Sequence, residues 1–176
     1  VGNIEALRLL EGGEADLGLA FSAPRGTSLP VLSVATLKLG AIMSTRHPLA
    51  GRSSLLLQDL SGYPLLLSDS SLLLNAALSD ALATVPISVR LVTNSIAVMS
   101  ILAASGDGIA LKTKAGLAPA FDSGELCMVP IADRILPLQH LAILTRRGLP
   151  LPALAHALAE GFRKELDALN EVSPGD

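Results

Sequence analysis

The stretch 2–20, GNIEALRLLEGGEADLGLA, decides how this chain is read. Ile4, Leu7 and Leu10 recur at helical spacing with Glu5, Arg8 and Glu11 between them, which predicts a helix that buries one face. Gly12 and Gly13 follow where a left-handed helix stop is expected. Asp16 then leads into Leu17, Gly18, Leu19 and Ala20, an apolar run with the character of a buried strand. A helix delivering such a strand is half of a strand-helix-strand crossover, and the half seen here lacks a first strand. With Val1 at its start, the chain reads as a fragment that enters a larger domain part-way.

The same alternation continues outward from this stretch. Residues 31–44 read as two apolar strands interrupted by Thr36, Lys38 and Gly40, and His47-Pro48 ends that run. A short helix is expected at 55–60, and a buried strand at 63–67 running into Ser68-Asp69-Ser70-Ser71. Helices are predicted at 72–83 and 96–104, with strands at 87–92 and 109–111. Residues 115–122 resemble a helix broken by Pro119, and strands are expected at 126–131 and 141–145. A last helix runs from Pro152 to about Leu169, with Leu154, Leu158, Phe162, Leu166 and Leu169 on one stripe.

Such alternation predicts an α/β fold with largely parallel sheets. The long extended passages 31–44 and 126–145 can each cross between two lobes. One lobe then comprises 1–36 and 142–176, and the other 37–141. Ligands in folds of this kind bind where strand C-terminal ends meet helix N-termini, here expected in the inter-lobe cleft.

Composition narrows the function. Half of the 176 residues are hydrophobic, enough for a core, and a net charge of −3 with scattered Lys and Arg argues against nucleic-acid binding by this chain itself. A small molecule or a protein is the expected partner. Only 2% of residues are aromatic and none is tryptophan, which disfavours sugar- and base-stacking surfaces. The lone Cys127 lies in an apolar strand-like run and is expected to be a buried, inert thiol, compatible with a reducing cytoplasm. Residues 96–111, the longest apolar region, are interrupted by Ser100, Ser105, Gly106, Asp107 and Gly108, so no stretch reaches the ~20 apolar residues of a spanning helix.

Three motifs carry a resemblance: Gly12-Gly13-Glu14-Ala15-Asp16-Leu17-Gly18-Leu19-Ala20, His47-Pro48-Leu49-Ala50 and Ala104-Ser105-Gly106-Asp107-Gly108-Ile109-Ala110. In this order and spacing the chain resembles the effector-binding domain of LysR-type transcriptional regulators, which have the two-lobed architecture of type 2 periplasmic binding proteins. The resemblance covers nearly the whole chain. It implies a missing N-terminal winged helix-turn-helix, a missing linker helix, and a missing first strand and helix of the effector domain. It further implies a small anionic effector, no catalysis, no cofactor, a homodimer or homotetramer, a cytoplasmic location without membrane attachment, and DNA contact only through the absent helix-turn-helix. Lys112-Thr113-Lys114 departs from the family pattern, where an apolar residue and proline commonly follow the strand.

Candidate ligand-binding residues follow from helix starts and from the resemblance. Ser68, Ser70 and Ser71 precede a helix, where N–H groups and hydroxyls can hold a carboxylate or simply cap the helix. The resemblance sets this loop on the cleft. Asn94 and Ser95 precede the next helix in the same way. Thr113, with Lys112 or Lys114, can contact an anion, although a solvated surface lysine is the commoner case. Phe21 and Ser22 close the first strand and are expected to line the cleft from the other lobe, or, for Phe21, to pack in a core.

Other residues read as structural. His47 shapes a turn, and Asp16 fixes the strand entrance. His140 and His156 have no carboxylate or cysteine at metal-ligand spacing, so no metal is expected. Gly106-x-Gly108 falls between helix and strand, the reverse of the dinucleotide fingerprint. No catalytic set emerges. The rival readings are a free-standing solute-binding protein and an enzyme on the same two-lobed scaffold.

Overall fold

The computed structural model describes residues 2–21, 28–68, 82–83, 85–134, 136–148 and 150–170. In chain order the elements are α1 (Asn3–Glu11), β1 (Leu17–Phe21), β2 (Val31–Leu37), β3 (Gly40–Ser44), a 3-10 turn (Leu57–Leu60), β4 (Pro64–Leu67), β5 (Ser88–Val92), α2 (Ile96–Ser105), β6 (Ile109–Lys112), α3 (Ala118–Asp122), β7 (Leu126–Pro130), β8 (Gln139–Thr145) and α4 (Ala153–Leu169). They fall into two compact units, Val1–Leu37 with Leu138–Asp176, and Lys38–Pro137.

In the first unit α1 stops at Gly12 and the chain turns at Gly13, whose φ of 72° is left-handed and suits only glycine without cost. The strand that follows is packed tightly under the helix. A Cβ at Gly18 would stand 2.9 Å from Leu10 Cδ1, so this glycine lets the two elements close. β1 and β2 flank β8 in a three-stranded sheet, both pairings antiparallel, with Ala20 opposite Ala142 and Gly18 opposite Leu144. Leu10, Ala20, Leu29, Ala142 and Leu144 form the core on that face.

α4 packs against β2 and β8. Its buried positions are Ala159 and Leu166, whereas Leu154 is 82% and Leu158 51% exposed. This corrects the predicted stripe. Each step of four residues overshoots a full turn by about 40°, so a row built only of such steps winds off the inner face. The inner row is Ala155, Ala159, Phe162, Leu166 and Leu169, whose mixed spacing of three and four stays on one side.

In the second unit five strands lie in the order β5-β4-β6-β3-β7. β4 runs parallel to β5 and to β6, while β3 is antiparallel to β6 and β7. Among the described residues antiparallel pairing therefore predominates, against the expectation of largely parallel sheets. Parallel strands arise where α2 returns the chain from β5 to β6; the long extended passages instead send β2, β3, β7 and β8 past their neighbours in opposite senses.

Both faces of the larger sheet are covered. Ala41, Met43, Leu65, Ile109 and Leu111 point into one cluster, and Ile42, Leu66 and Ala110 into the other with Met99, Ala103, Leu117 and Leu126. Alternate residues of each strand thus enter different cores, and so these strands read as continuous apolar runs. Gly106, with φ of 85°, ends α2, and Asp107 N donates to Leu102 O at 2.9 Å.

Several local expectations change. The short helix expected at 55–60 is a 3-10 helix confined to Leu57–Leu60, with Leu55 in a bridge to Ile131. Pro119 stands in the first turn of α3, where its missing N–H costs nothing, so it opens the helix instead of breaking it. The predicted helix 72–83 lies outside the described residues except for Leu82 and Ala83, which are helical. His47 does shape a turn: Leu49 N donates to its Nδ1 at 3.2 Å, and its ring stands edge-on to Tyr63 with centroids 4.8 Å apart. Burial lowers the His47 pKa and favours the neutral ring that this acceptor role requires.

Candidate functional site

Because β5, β4 and β6 run parallel side by side, their C-terminal ends share one edge of the sheet. Ser68 follows β4, Thr93-Asn94-Ser95 follow β5, and Lys112 ends β6 with Thr113 behind it. Three segments distant in sequence thereby bring polar groups to one line, and Thr93 N donates to Leu67 O at 2.9 Å, tying two of them together.

Local chemistry separates these residues. Ser95 is the N-cap of α2: its Oγ accepts from Val98 N at 3.3 Å, so the capping reading holds for its hydroxyl. Thr93 Oγ1 accepts from Ser95 N at 3.1 Å, fixing the turn before the helix. The start of α2, with its outward N–H groups, is thus held at the same edge. Ser68 is half-buried, Asn94 exposed and Thr113 buried at 5%.

Lys112 is the charged member of the edge. Its Nζ donates to Ala115 O at 3.5 Å, and burial pushes its pKa down to about 8. Ser70 and Ser71 lie outside the described residues, as does Ser22.

Phe21 lies in the other unit, half-buried at the end of β1. Its backbone is held by a residue that sequence reasoning missed. Asn3 Nδ2 donates to Phe21 O at 2.9 Å and Phe21 N donates to Asn3 Oδ1 at 3.1 Å, so the amide stands in for a neighbouring strand. Asp16 is structural in the same sense. Arg146 Nε lies 2.8 Å from Asp16 Oδ1, an ionic contact without good hydrogen-bond alignment, and Arg146 N donates to Asp16 O at 3.3 Å, joining the start of β1 to the end of β8.

Cys127 Sγ sits 4.0 Å from Ser44 O, and burial raises the pKa of its thiol. His140 Nδ1 is 3.2 Å from Thr36 Oγ1. Among the described residues no three His, Cys, Asp or Glu side chains gather as a metal site, and no helix is long and apolar enough to cross a membrane. What the strand edge offers is N–H donors, hydroxyls and the Lys112 ammonium beside an apolar sheet, a set suited to holding an oxyanion.

Comparison with known proteins bears on the fold. Among solved structures, the chain resembles the effector-binding domain of QuiR in complex with shikimate, with a TM-score of 0.70 and 13% identity over 97% of this chain and 80% of that one. It also resembles the CcmR regulatory domain of Synechocystis in complex with 2-PG, with a TM-score of 0.73 and 18% identity over 97% and 82% of the two chains. The BenM effector-binding domain with its effector benzoate gives 0.66 and 19% identity over 99% and 80%. Comparison with curated protein sequences gave no match. The family model described as the LysR substrate binding domain spans residues 1–167, and on that evidence the chain belongs to the LysR substrate-binding domain family, whose members are regulator domains and not enzymes.

Proposed function

We propose that this chain is the sensing domain of a LysR-type transcriptional regulator and binds a small anionic effector between lobe I (1–36 and 142–176) and lobe II (37–141). The observation that carries the proposal is the shared edge at which Ser68, Thr93-Asn94-Ser95 and Lys112-Thr113 meet the start of α2. Such strand ends are where open α/β sheets take ligands. Ser70 and Ser71 extend this edge in sequence, and Phe21 and Ser22 belong to lobe I. QuiR, CcmR and BenM are described with shikimate, 2-PG and benzoate, all small molecules, which supports an effector of similar size.

Effector binding would bias the angle between the lobes and so the pairing of subunits in a cytoplasmic homodimer or homotetramer, which presents helix-turn-helix domains to DNA. The effector chemistry is tested by thermal unfolding with a panel of carboxylates and phosphates that includes shikimate and benzoate. A ligand at a hundred times its Kd adds about 2.7 kcal/mol, or roughly 5–10 °C in Tm for a chain of this size. Ser68→Ala and Asn94→Ala are each expected to weaken binding about tenfold, the worth of a hydrogen bond to a charged group. Unchanged affinity in both variants removes the site assignment, and a full-length product without a helix-turn-helix removes the regulator reading.

A further inference from the structure

Lys112 differs from the other polar residues of the strand edge in being a cation set on an apolar face of the sheet. Side chains alternate along β6, so Lys112 shares a face with Ala110, whose cluster includes Ile42, Leu66, Met99 and Leu117. Its cross-strand partner is Gly40, over which the Met128 side chain lies so closely that a Cβ there would collide with it.

Among the described residues the elements packed most closely against β6 are β3, β4 and α2, and none of the three carries an ionisable side chain. Of the charged groups on flanking segments, Asp107 stands at the far end of the strand and pairs with Arg90 at 3.1 Å, while Lys38 precedes β3 and Lys114 follows β6, both cations. Cys127 of β7 packs on the opposite core. Asp69, which follows β4 in sequence, lies outside the described residues. Among the described residues the one hydrogen bond of the ammonium is the long contact to Ala115 O.

We propose that Lys112 reads the charge of the effector, admitting an oxyanionic ligand only together with a proton on its own amine. This rests on the effector-binding reading above and adds to it the residue responsible and a dependence of affinity on pH. Burial disfavours the charged amine and holds its pKa at about 8. An oxyanion within hydrogen-bond reach favours the charged form, so ligand and proton strengthen each other's binding by the same factor. From pH 7 to pH 9 the empty site goes from about nine-tenths to about one-tenth protonated, and affinity for an anion falls about tenfold. A neutral ligand of the same shape gains nothing from the proton.

The test uses the chain with carbon-13 at Cε of its four lysines, Lys38, Lys112, Lys114 and Lys164, followed by NMR across pH with benzoate and inorganic phosphate as separate probes and benzamide as the neutral control. The Lys112 signal, identified by its loss in Lys112→Met, is expected to titrate near 8 without probe and at least one unit higher with whichever anion binds, benzamide leaving it unmoved. Lys112→Arg, which keeps its charge at every accessible pH, is expected to bind the anion without the loss at pH 9. A Lys112 signal, identified equally well by its loss in Lys112→Arg, that titrates at the ordinary lysine value of 10.5 overturns the proposal. Anion-induced shifts at Ser68 and Asn94 with Lys112 unmoved overturn the proposal and leave the effector site standing. If neither anion perturbs any of these residues, both readings fall.

Discussion

In the unit built from Val1–Leu37 and Leu138–Asp176, polar side chains at the strand ends are bound by other parts of the same unit: Asn3 by the Phe21 backbone, Asp16 by Arg146. In the Lys38–Pro137 unit the side chains of Thr93, Ser95 and Lys112, at the ends of β5 and β6, reach partners two or three residues away. Thr93 and Ser95 hold the start of α2, while Lys112 has a single long contact among the described residues. The difference follows from strand direction. In an antiparallel pair the start of one strand meets the end of its partner, as Asp16 before β1 meets Arg146 after β8. Parallel strands bring three like ends together and leave their polar groups pointing off the same edge.

The contrast breaks most easily in the core beneath the strand ends. Leu66→Ala, at a fully buried position on β4 between β5 and β6, is expected to cost about 2–5 kcal/mol in urea unfolding. A loss below about 1 kcal/mol would mean that this cluster does not hold the three strands in line.

A smaller effect is expected from the clamp of the other unit. Asn3→Ala removes two hydrogen bonds to Phe21 and is expected to cost about 1–2 kcal/mol, with faster amide exchange at Phe21. Unchanged exchange there would show that the amide does not substitute for a strand.

The smallest expected effect is at His47, and it concerns pH. Burial keeps its folded-state pKa below the ordinary value of 6.5, so the unfolded chain binds the proton more readily. The contribution of His47 is therefore complete above pH 6.5 and declines as pH falls below it. Stability of the wild type should fall more steeply on acidification than that of His47→Asn, compared by urea midpoints, the two proteins differing at this residue alone. Parallel pH profiles would remove His47 as the cause.

Much of the fold was legible in short-range pattern. The helix, glycine stop and strand of 2–20 appear as α1, Gly13 and β1, because helix period and turn chemistry depend on residues within a few positions of each other. The turn at His47 and the glycine end of α2 were legible for the same reason. The stripe on α4 was misread because a row of four-residue steps drifts around the helix, and only the packing of α4 on β2 and β8 shows which side turns inward. The predominance of antiparallel pairing was hidden because an apolar run reads alike in either orientation.

The sequence by itself determined the order of helices and strands, the turn residues and the family motifs, all products of local periodicity and backbone preference. Tertiary structure alone decided which polar residues meet. Asn3 and Phe21 lie eighteen residues apart, and Asp16 and Arg146 come from opposite ends of the chain. Ser68, Thr93 and Lys112 become neighbours only because β4 takes its place between β5 and β6. Strand order is set by how apolar faces are buried over the whole unit, a quantity that no short window of sequence contains.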